Sequence, residues 1–319
     1  DGAAISARLE APVIESRGRA FPIETRYLGR PDRLEEGVVG AIRKALAQEM
    51  GSILVFLPGQ GEIRRVEALL AEQVRDPAVI VTPLYGALDF KAQDLAISPA
   101  PAGRRKIVLA TAIAQTSLTI EGVRVVVDSG LARVPRFDPG SGLTRLRTER
   151  VSRAAADQRR GRAGRTEPGV AYRLWDEPET RGLVAFDRPE ILEADLSGLV
   201  LDLARWGATD ADGLLFLDPP PRGAWEQAGA ALRAIGALDA GGHLTPHGRA
   251  VSELPLPANL AHMLVTAAER GEAGMAARIA VLLTERGLGG TDADLTHRLE
   301  RLDRDGSPRA RDAKTLAER

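Results

Sequence analysis

KIVLATAIAQTSLTIEGVRVVVDSG, residues 106–130, contains two short apolar runs joined by a polar linker. KIVLAT and VRVVVDSG are rich in β-branched residues, which favour strands. Continuous apolar runs of this length are typical of strands that are buried on both faces of a parallel sheet. Three similar runs occur elsewhere in the chain, at SILVFL (52–57), AVIVTPL (78–84) and GVAYRLW (169–175).

Segments with the spacing of amphipathic helices lie between these runs, at 33–50, 61–74 and 89–97. Strands that alternate with helices predict an α/β fold, in which a parallel sheet is covered by helices on both faces. Sheets of this kind bind ligands in the loops at the carboxyl ends of their strands. Those loops here are LPGQGE, PLYGA and ATAIAQTS, which are rich in small or polar residues.

The pattern changes after the predicted strand at 123–130. RFDPGSGLTRL (136–146) places turn residues between two extended runs and predicts a β-hairpin. A helix is expected at 152–160, with Ser152 as its N-cap. After about residue 178 the pattern is mainly helical. The stretch 224–254 predicts a winged helix, because it reads as a helix, a short strand, Gly-Gly, a second short strand and another helix. A helical pair follows, and the polar chain from 290 onward is expected to fray.

Composition excludes several classes of protein. A length of 319 residues predicts two or three domains. There is neither a run of about 18 apolar residues nor a basic head followed by an apolar stretch, so we expect no membrane span and no signal peptide. The absence of cysteine excludes disulfides and zinc–thiolate sites, and it fits a reducing compartment such as the cytoplasm.

Positive charge is concentrated around QRRGRAGR (158–165). The stretch 133–165 holds ten arginines against three acidic residues, a net charge of +7, whereas the whole chain has a net charge of −1. Segregated positive charge indicates a surface for a polyanion, although a solvated, salt-bridged face would give the same pattern.

On a continuous helix Gln158, Arg162 and Arg165 share one face, and the other two arginines of the segment point elsewhere. Guanidinium groups remain charged and suit phosphate. Gly161 and Gly164 remove side chains on either side of Arg162, so that a backbone or a ligand can approach closely. The alternative is a helix clamped to acidic neighbours.

Five stretches, in consistent order over roughly 20–285, resemble the motifs of DEAH-box helicases of superfamily two. Their amino-acid sequences are most similar to those of the bacterial HrpB-type branch. QRRGRAGR resembles the sixth motif, and RFDPGSGLTRL stands where the family carries a long hairpin. The other three stretches resemble the fourth motif, the segment after it and the fifth motif, in the order LVFLPGQGEI (54–63), PLYGALDFKAQ (83–93) and ATAIAQTSLTIEGVRVVVD (110–128).

The resemblance implies site residues as well as a fold. ATP and Mg²⁺ would lie between two RecA-like domains, and the second domain would supply Arg162 and Arg165 as arginine fingers. Gln158 would contact the γ-phosphate or the attacking water, while Thr119 and Glu121 would face the nucleotide. Single-stranded RNA or DNA would be held by small and hydroxyl-bearing residues, namely Gly59, Gln60, Tyr85, Gly86, Thr111 and Thr116.

The same resemblance implies a domain organisation. We expect a remnant of a first RecA-like domain at 1–20, the second RecA-like domain with its hairpin at 21–178, a winged-helix domain at 179–252 and a truncated, ratchet-like helical domain at 253–319. The partners implied are a single nucleic-acid strand and the amino-terminal RecA-like domain, with no membrane. The protein is expected to be a monomer.

Two departures and one absence qualify the resemblance. Ala112 stands where the family has Asn, and Gln115 where it has Glu, so neither side chain is taken as a site residue. No phosphate loop of the form G-x-x-x-x-G-K-[ST] is present, since none of the four lysines follows a glycine. The chain is therefore expected to be a fragment without ATPase activity of its own, whose Mg²⁺ ligands lie elsewhere.

Two other functions stay open from the sequence: a non-enzymatic winged-helix module that binds nucleic acid, and a protein-interaction scaffold. His243 and His247 are four residues apart, but no third ligand is evident, so we interpret them as turn and wing residues and predict no metal site. The three tryptophans, Trp175, Trp206 and Trp225, are expected to lie in cores.

Overall fold

The computed structural model describes residues 2–15, 21–116, 120–138, 143–285, 287–290 and 292–318. The chain forms two compact units. One consists of Glu10–Pro189, and the other of Ala3–Leu9 together with Glu190–Arg319.

A six-stranded parallel sheet is the centre of the first unit. Its strands are β1 (Ile23–Tyr27), β2 (Ser52–Phe56), β3 (Val79–Leu84), β4 (Arg105–Ala110), β5 (Val123–Asp128) and β8 (Gly169–Arg173). Their order across the sheet is β1-β8-β5-β2-β4-β3. The helices around it are α2 (Leu34–Gln48), α3 (Gln60–Gln73), α4 (Phe90–Ile97), α5 (Ile113–Thr116) and α6 (Arg153–Gly161).

Both faces of the sheet are buried, which explains the continuous apolar runs in the sequence. Successive side chains of a strand point to opposite faces. In β2, Ile53 and Val55 therefore pack with α2 and α3, whereas Leu54 and Phe56 pack against the other face. That second face is covered by small or branched side chains of the segments that lie on it, namely Ala96, Ala114, Ile120 and Ala163.

A two-stranded antiparallel hairpin follows β5 and consists of β6 (Leu131–Asp138) and β7 (Leu143–Arg150). The sequence predicted the hairpin, but the two strands are longer than the predicted 136–146. The predicted turn itself, at 139–142, lies outside the described residues. Ser152 caps α6 as expected, because its side chain accepts a hydrogen bond from the backbone N–H of Ala155 at 3.0 Å.

The second unit is helical and contains a winged-helix core. Its helices are α1 (Gly2–Leu9), α7 (Ser197–Arg205), α8 (Arg222–Ala234), α9 (Pro246–Ser252), α10 (Ala258–Glu269), α11 (Ala273–Thr284), α12 (Leu295–Arg304) and α13 (Pro308–Glu318). Between α8 and α9, the backbones of Leu238 and Leu244 form an antiparallel bridge, as the winged-helix pattern predicted. Leu232, Ala237 and Val251 pack together around that bridge.

Two expectations from the sequence differ from the structure. The chain after residue 290 forms α12 and α13 instead of fraying, because Leu302 and Ala310 pack onto Leu282 of α11 and form a small core. The sequence pattern also predicted no strand at β1. This edge strand, IETRY, carries charged residues and is only partly buried, so it lacks the apolar run that marks the central strands.

Candidate functional site

The arginine-rich segment changes helix type at its middle. The α-helix ends at Gly161, and Arg162–Gly164 form one turn of 3₁₀ helix. A 3₁₀ turn has about three residues instead of 3.6. Gln158 and Arg162 both bond to Gln115, whereas Arg165 follows the 3₁₀ turn, so the three residues do not lie along one continuous α-helix as the sequence suggested. Gln158 and Arg165 are exposed, and Arg162 is 6% exposed.

Two of the four arginines have structural roles. Arg159 is 1% exposed, and its Nη1 lies 2.9 Å from the buried Asp128 Oδ1, while its guanidinium stacks 4.9 Å from the ring centre of Phe56. Arg160 donates to Thr25 Oγ1 at 2.9 Å and to the carbonyl oxygen of Ile23 at 3.3 Å. These two side chains hold α6 to the sheet, and the other two arginines are the candidates for ligand binding.

Arg162 and Arg165 border one small cleft, together with Leu54, Ile120 and Val123. Burial lowers the pKa of the Arg162 guanidinium, and the positive charge of Arg165 lowers it further. Two like charges held close together favour an anion between them, since its negative charge relieves their repulsion. Both residues thus have the chemistry of a phosphate site.

This cleft does not lie at the carboxyl ends of the strands. Val123 is the first residue of β5, and the carbonyl oxygen of Gly164 accepts a hydrogen bond from the backbone N–H of Phe21, just before β1. The arginine pair therefore lies on a face of the sheet near the amino ends of β1 and β5. The general rule for parallel sheets places ligands at the opposite edge.

Gly164 is required by a close approach, whereas Gly161 is not. A Cβ on Gly164 would lie 2.6 Å from Ile23 Cγ1 and 2.8 Å from the carbonyl oxygen of Phe21. A Cβ on Gly161 would have no neighbour within 4 Å. The space next to Gly164 is filled by protein backbone, so its glycine serves packing and not the approach of a ligand.

Gln115 connects these residues, although the sequence reasoning did not take its side chain as part of the site. Its backbone carbonyl oxygen accepts from Arg162 Nε at 2.9 Å and also from Arg162 Nη2. Its side chain accepts from Arg159 Nε at 3.2 Å and donates to Gln158 Oε1 at 3.0 Å. The signal that could have found it was its departure from the family's Glu.

The residues expected to hold a nucleic-acid strand follow three neighbouring strands of the sheet. Gly59 and Gln60 follow β2, Tyr85 and Gly86 follow β3, and Thr111 and Thr116 follow β4. Two hydrogen bonds connect these loops: Gln60 Nε2 donates to the Tyr85 hydroxyl at 3.0 Å, and the Thr111 N–H donates to the Leu84 carbonyl oxygen at 3.2 Å. The structure thus brings all three predicted pairs to one edge.

Individual members of this edge differ in what they can offer. Tyr85 is only 9% exposed and its hydroxyl is bonded to Gln60, so its ring is not available for stacking. Gly86 is exposed, and a Cβ there would meet nothing within 4 Å. Gly59 lies against the hairpin, since a Cβ there would be 2.8 Å from Arg133 Nη1. Arg133 also pairs with Glu62 at 3.1 Å and so joins the hairpin to α3.

Of the two residues expected on the nucleotide side, Thr119 lies outside the described residues. Glu121 is exposed in the turn that precedes β5 and is next to Ile120, which borders the arginine cleft. Glu121 thus follows a residue that borders the arginine cleft, and no hydrogen bond joins its side chain to Arg162 or Arg165 within the described residues.

The hairpin carries five arginines. Three form ion pairs: Arg133 with Glu62, Arg136 with Glu149, and Arg150 with Glu179 at 3.0 Å. The remaining two, Arg145 and Arg147, are exposed and form no ion pair with any residue that the structure describes. Their charge is available to a polyanion.

Histidines and tryptophans outside this region have other roles. His247 Nε2 lies 2.8 Å from His262 Nδ1, and across the described ranges no three His, Cys, Asp or Glu side chains group as metal ligands. Trp175 is buried and Trp225 packs in the winged-helix core. Trp206 is 82% exposed, so its expected place in a core was wrong; it follows the last residue of α7, where the chain turns away from the core.

Comparisons with known proteins define the class. Residues 37–167 match the helicase conserved C-terminal domain, and residues 231–256 match the winged-helix helicase-associated domain HA2. The chain is 38% identical over 270 residues to the pre-mRNA-splicing factor ATP-dependent RNA helicase prp22 of Schizosaccharomyces pombe, covering 82% of this chain and 23% of that protein. The chain therefore belongs to the DEAH/RHA helicases, as their C-terminal helicase region.

Within that family the chain is of the HrpB type. It is 49% identical over 278 residues to the ATP-dependent RNA helicase HrpB of Escherichia coli, covering 86% of this chain and 34% of that protein. The crystal structure of the Escherichia coli DEAH/RHA helicase HrpB superposes with a TM-score of 0.89 at 43% identity, over 99% of this chain and 40% of that one. The chain thus spans about a third or less of the length of these curated relatives. In the described parts of the chain, every helix is too short or too polar to cross a membrane.

Proposed function

We propose that this chain is the second half of an ATP-dependent motor that moves along single-stranded RNA or DNA. In this proposal residues 21–178 act as a RecA-like domain and pack against an amino-terminal RecA-like domain, with ATP between the two. The observation that supports it best is the pair Arg162 and Arg165, which border one cleft inside the region that matches the helicase C-terminal domain.

The two guanidinium groups would stabilise phosphoryl transfer. Negative charge spreads over the phosphoryl oxygens in the transition state, and a fixed arginine there accelerates related reactions by about 10³–10⁵-fold. Arg162 is already held by the carbonyl oxygen of Gln115, so little ordering is needed when the nucleotide binds. Gln158 and Glu121 would face the same nucleotide, as would Thr119.

Mg²⁺ would be held elsewhere than in this cleft. The cleft is lined by two arginines and three apolar side chains, and cationic donors of this kind suit phosphate oxygens, not a divalent cation. We propose that the phosphate loop and the magnesium-binding acid belong to the amino-terminal RecA-like domain. The residues of this chain would bind and orient the γ-phosphate only.

The strand would run along the edge formed by the loops after β2, β3 and β4. Backbone groups, Gly86 and the hydroxyls of Thr111 and Thr116 suit contacts to phosphate and sugar, which carry no sequence information. The loops are joined by the hydrogen bond between Gln60 and Tyr85, so they would move as one surface. We further propose that 179–252 acts as a winged-helix domain and 253–319 as a ratchet-like helical domain.

The proposal is tested by reconstituting hydrolysis. The 319-residue chain alone should show no ATPase activity. Addition of the amino-terminal RecA-like domain of the Escherichia coli relative in trans should produce RNA-stimulated turnover, and Arg162→Ala should abolish it. Arg64→Ala is the matched control, because Arg64 is exposed on α3 and forms no ion pair within the described residues. Robust turnover by the chain alone would refute the proposal. Sequence-specific duplex binding that survives Arg162→Ala would point instead to a non-enzymatic winged-helix module.

A further inference from the structure

Phe90 is an aromatic residue that the first unit leaves almost wholly in water. It is the first residue of α4, and its side chain is 84% exposed. Burial of a phenylalanine ring normally stabilises a protein, so this ring contributes little to the core. Single exposed apolar residues are common, and exposure alone defines no site. The place of Phe90 in the fold is therefore what carries the argument.

The turn that carries Phe90 is fixed by hydrogen bonds. The Leu88 N–H donates to the carbonyl oxygen of Tyr85 at 3.1 Å and closes the loop after β3. The side chain of Asp89 accepts from the Ala92 N–H at 2.8 Å and caps α4. The ring thus extends from an ordered backbone, so little conformational entropy is lost when a ligand packs against it.

Phe90 also lies at one end of the edge formed by the loops after β2, β3 and β4, which we call the strand-binding edge. This part of the sheet has the order β5-β2-β4-β3, with β3 outermost. The hairpin follows β5, whereas Phe90 lies beyond β3. Neighbouring strands are about 4.8 Å apart, so the ends of β5 and β3 are separated by roughly 14 Å. A nucleic-acid strand that crosses the edge from the hairpin therefore reaches Phe90 last.

The surroundings of Phe90 suit a nucleotide. Gly86 is exposed, and a Cβ there would meet nothing within 4 Å, so open space borders the loop. Lys91 is exposed and forms no ion pair with any residue that the structure describes, so its charge can bind a phosphate. Single-strand sites combine such cations with an aromatic ring on which a base stacks. Tyr85 cannot supply that ring, because it is 9% exposed and bonded to Gln60.

We propose that Phe90 is a stacking platform for a base of the bound single strand, at the end of the strand-binding edge that is remote from the hairpin. This inference rests on the proposed function of that edge. The ring contacts the base itself, whereas the glycines and hydroxyls of the edge contact phosphate and sugar. Because every base has a π face, the platform tightens binding without selecting a sequence.

The experiment is fluorescence anisotropy of a labelled, unstructured oligouridylate with the whole 319-residue chain. Phe90→Leu keeps an apolar side chain but removes the ring, and it should weaken binding about fivefold or more. Phe90→Trp should bind at least as tightly as the unchanged protein. The slope of log affinity against log salt should be the same in all three proteins, because stacking on a neutral ring releases no counterions.

Two controls isolate the effect of the ring. Phe186→Leu is the matched variant, because Phe186 is 72% exposed in the same unit and does not belong to the loops after β2, β3 and β4. It should leave the affinity unchanged. An abasic strand of the same length offers phosphates but no base, so the unchanged protein and Phe90→Leu should bind it equally well.

An affinity for oligouridylate that Phe90→Leu leaves unchanged would overturn the inference, as would an equal loss of affinity for the abasic strand. A protein contact is the other use of such a ring. If Phe90→Leu weakened association with the amino-terminal RecA-like domain of the Escherichia coli relative and left strand binding intact, the ring would belong to that contact, and the inference would fail.

Gly86→Glu separates the inference from the proposed function on which it rests. The open space at Gly86 accommodates the side chain, and its negative charge should abolish binding of oligouridylate to the strand-binding edge. If Gly86→Glu binds normally, the proposed function of the edge fails. If Gly86→Glu abolishes binding while Phe90→Leu binds normally, only the stacking role of Phe90 fails.

Discussion

Four arginines within seven residues have different roles because their neighbours differ. Arg159 faces a buried carboxylate and Arg160 faces a hydroxyl of the edge strand, while Arg162 meets a carbonyl oxygen and lies beside the like charge of Arg165. Identical side chains thus divide into two that fix the helix and two that are suited to bind an anion.

Arg159→Met should destabilise the chain by about 3–5 kcal/mol, because it leaves Asp128 buried without its counter-charge. Urea unfolding measures the loss. Arg153→Met is the control, since Arg153 is exposed at the start of the same helix, and it should change stability by less than about 0.5 kcal/mol. Equal effects of the two substitutions would contradict the structural role of Arg159.

Gly164→Ala and Gly161→Ala should have opposite effects. The methyl group at 164 would collide with Ile23 and the backbone of Phe21, so a loss of at least about 1 kcal/mol is expected. At 161 the space is open and φ is −57°, so alanine should be neutral or stabilise by up to about 1 kcal/mol. Thermal unfolding of the two variants side by side decides this, and a stable Gly164→Ala protein would contradict the packing described.

Among the elements, the hairpin of β6 and β7 differs most from its surroundings. It is antiparallel, and within the described residues its two strands pair only with each other, whereas the main sheet is parallel. Arg133 joins it to Glu62 of α3 and Arg150 joins it to Glu179, so ion pairs connect it to two other segments of the same unit.

The Arg136–Glu149 pair should make hairpin stability depend on pH. The hydrogen bond from Arg136 lowers the pKa of Glu149 below the ordinary glutamate value of about 4.3. Because the carboxylate pKa is lowered in the folded state, the contribution of the Arg136–Glu149 pair to the free energy of unfolding is complete above the ordinary glutamate pKa. It is lost as the pH falls through the lower, folded-state pKa. Carboxyl-carbon titration of Glu149 measures it; Arg136→Gln should return the pKa towards 4.3, and an unchanged pKa would rule out this pairing.

Arg145 and Arg147 should contribute to binding of a single strand through charge alone. Each phosphate contact by a cation changes the slope of log affinity against log salt by about 0.7 for single strands. The double substitution Arg145→Ala with Arg147→Ala should therefore weaken binding at low salt and make the slope shallower by about 1.4. Fluorescence anisotropy with an unstructured oligonucleotide tests this, with Arg64→Ala as control; an unchanged slope would exclude contact at these positions.

On the scale of the whole molecule, the two units have separate cores. The apolar clusters on the two faces of the sheet and beneath α6 draw all their members from Glu10–Pro189, and those around α9 and α12 draw theirs from the other unit. Each unit therefore contains the apolar contacts that complete its own interior.

Residues 10–189 expressed alone should unfold cooperatively, as followed by circular dichroism during urea titration. A shorter piece ending at 168 is the control. It lacks β8, which pairs on one side with β1 and on the other with β5, and it should not form the native sheet. A cooperative transition in the shorter piece would show that β8 is not needed to close the sheet.

Sequence patterns predicted most of the fold, for a physical reason that also explains the failures. Buried parallel strands carry uninterrupted apolar runs, so the four interior strands were identified within a residue or two, as were the helices α2 and α3. Edge strand β1 and helices α12 and α13 were missed, because partial burial leaves polar residues in the pattern. In the site, residue spacing separated Arg162 and Arg165 from the other arginines. The 3₁₀ turn and the hydrogen bonds of Gln115 to Gln158, Arg159 and Arg162 were not predictable, because they depend on contacts between distant segments.

The place of β8 between β1 and β5 also affects how the chain is made. β1 has no neighbour on the sheet until residues 169–173 have left the ribosome, 142 residues after Tyr27. At about 5–20 residues per second this delay is roughly 7–30 s. β5 is complete at Asp128, 41 residues before β8 begins, so for roughly 2–8 s of that delay it has an open edge of the kind that invites mispairing with other nascent chains. Slow or paused translation between Asp128 and Arg173 is therefore a hazard built into the strand order.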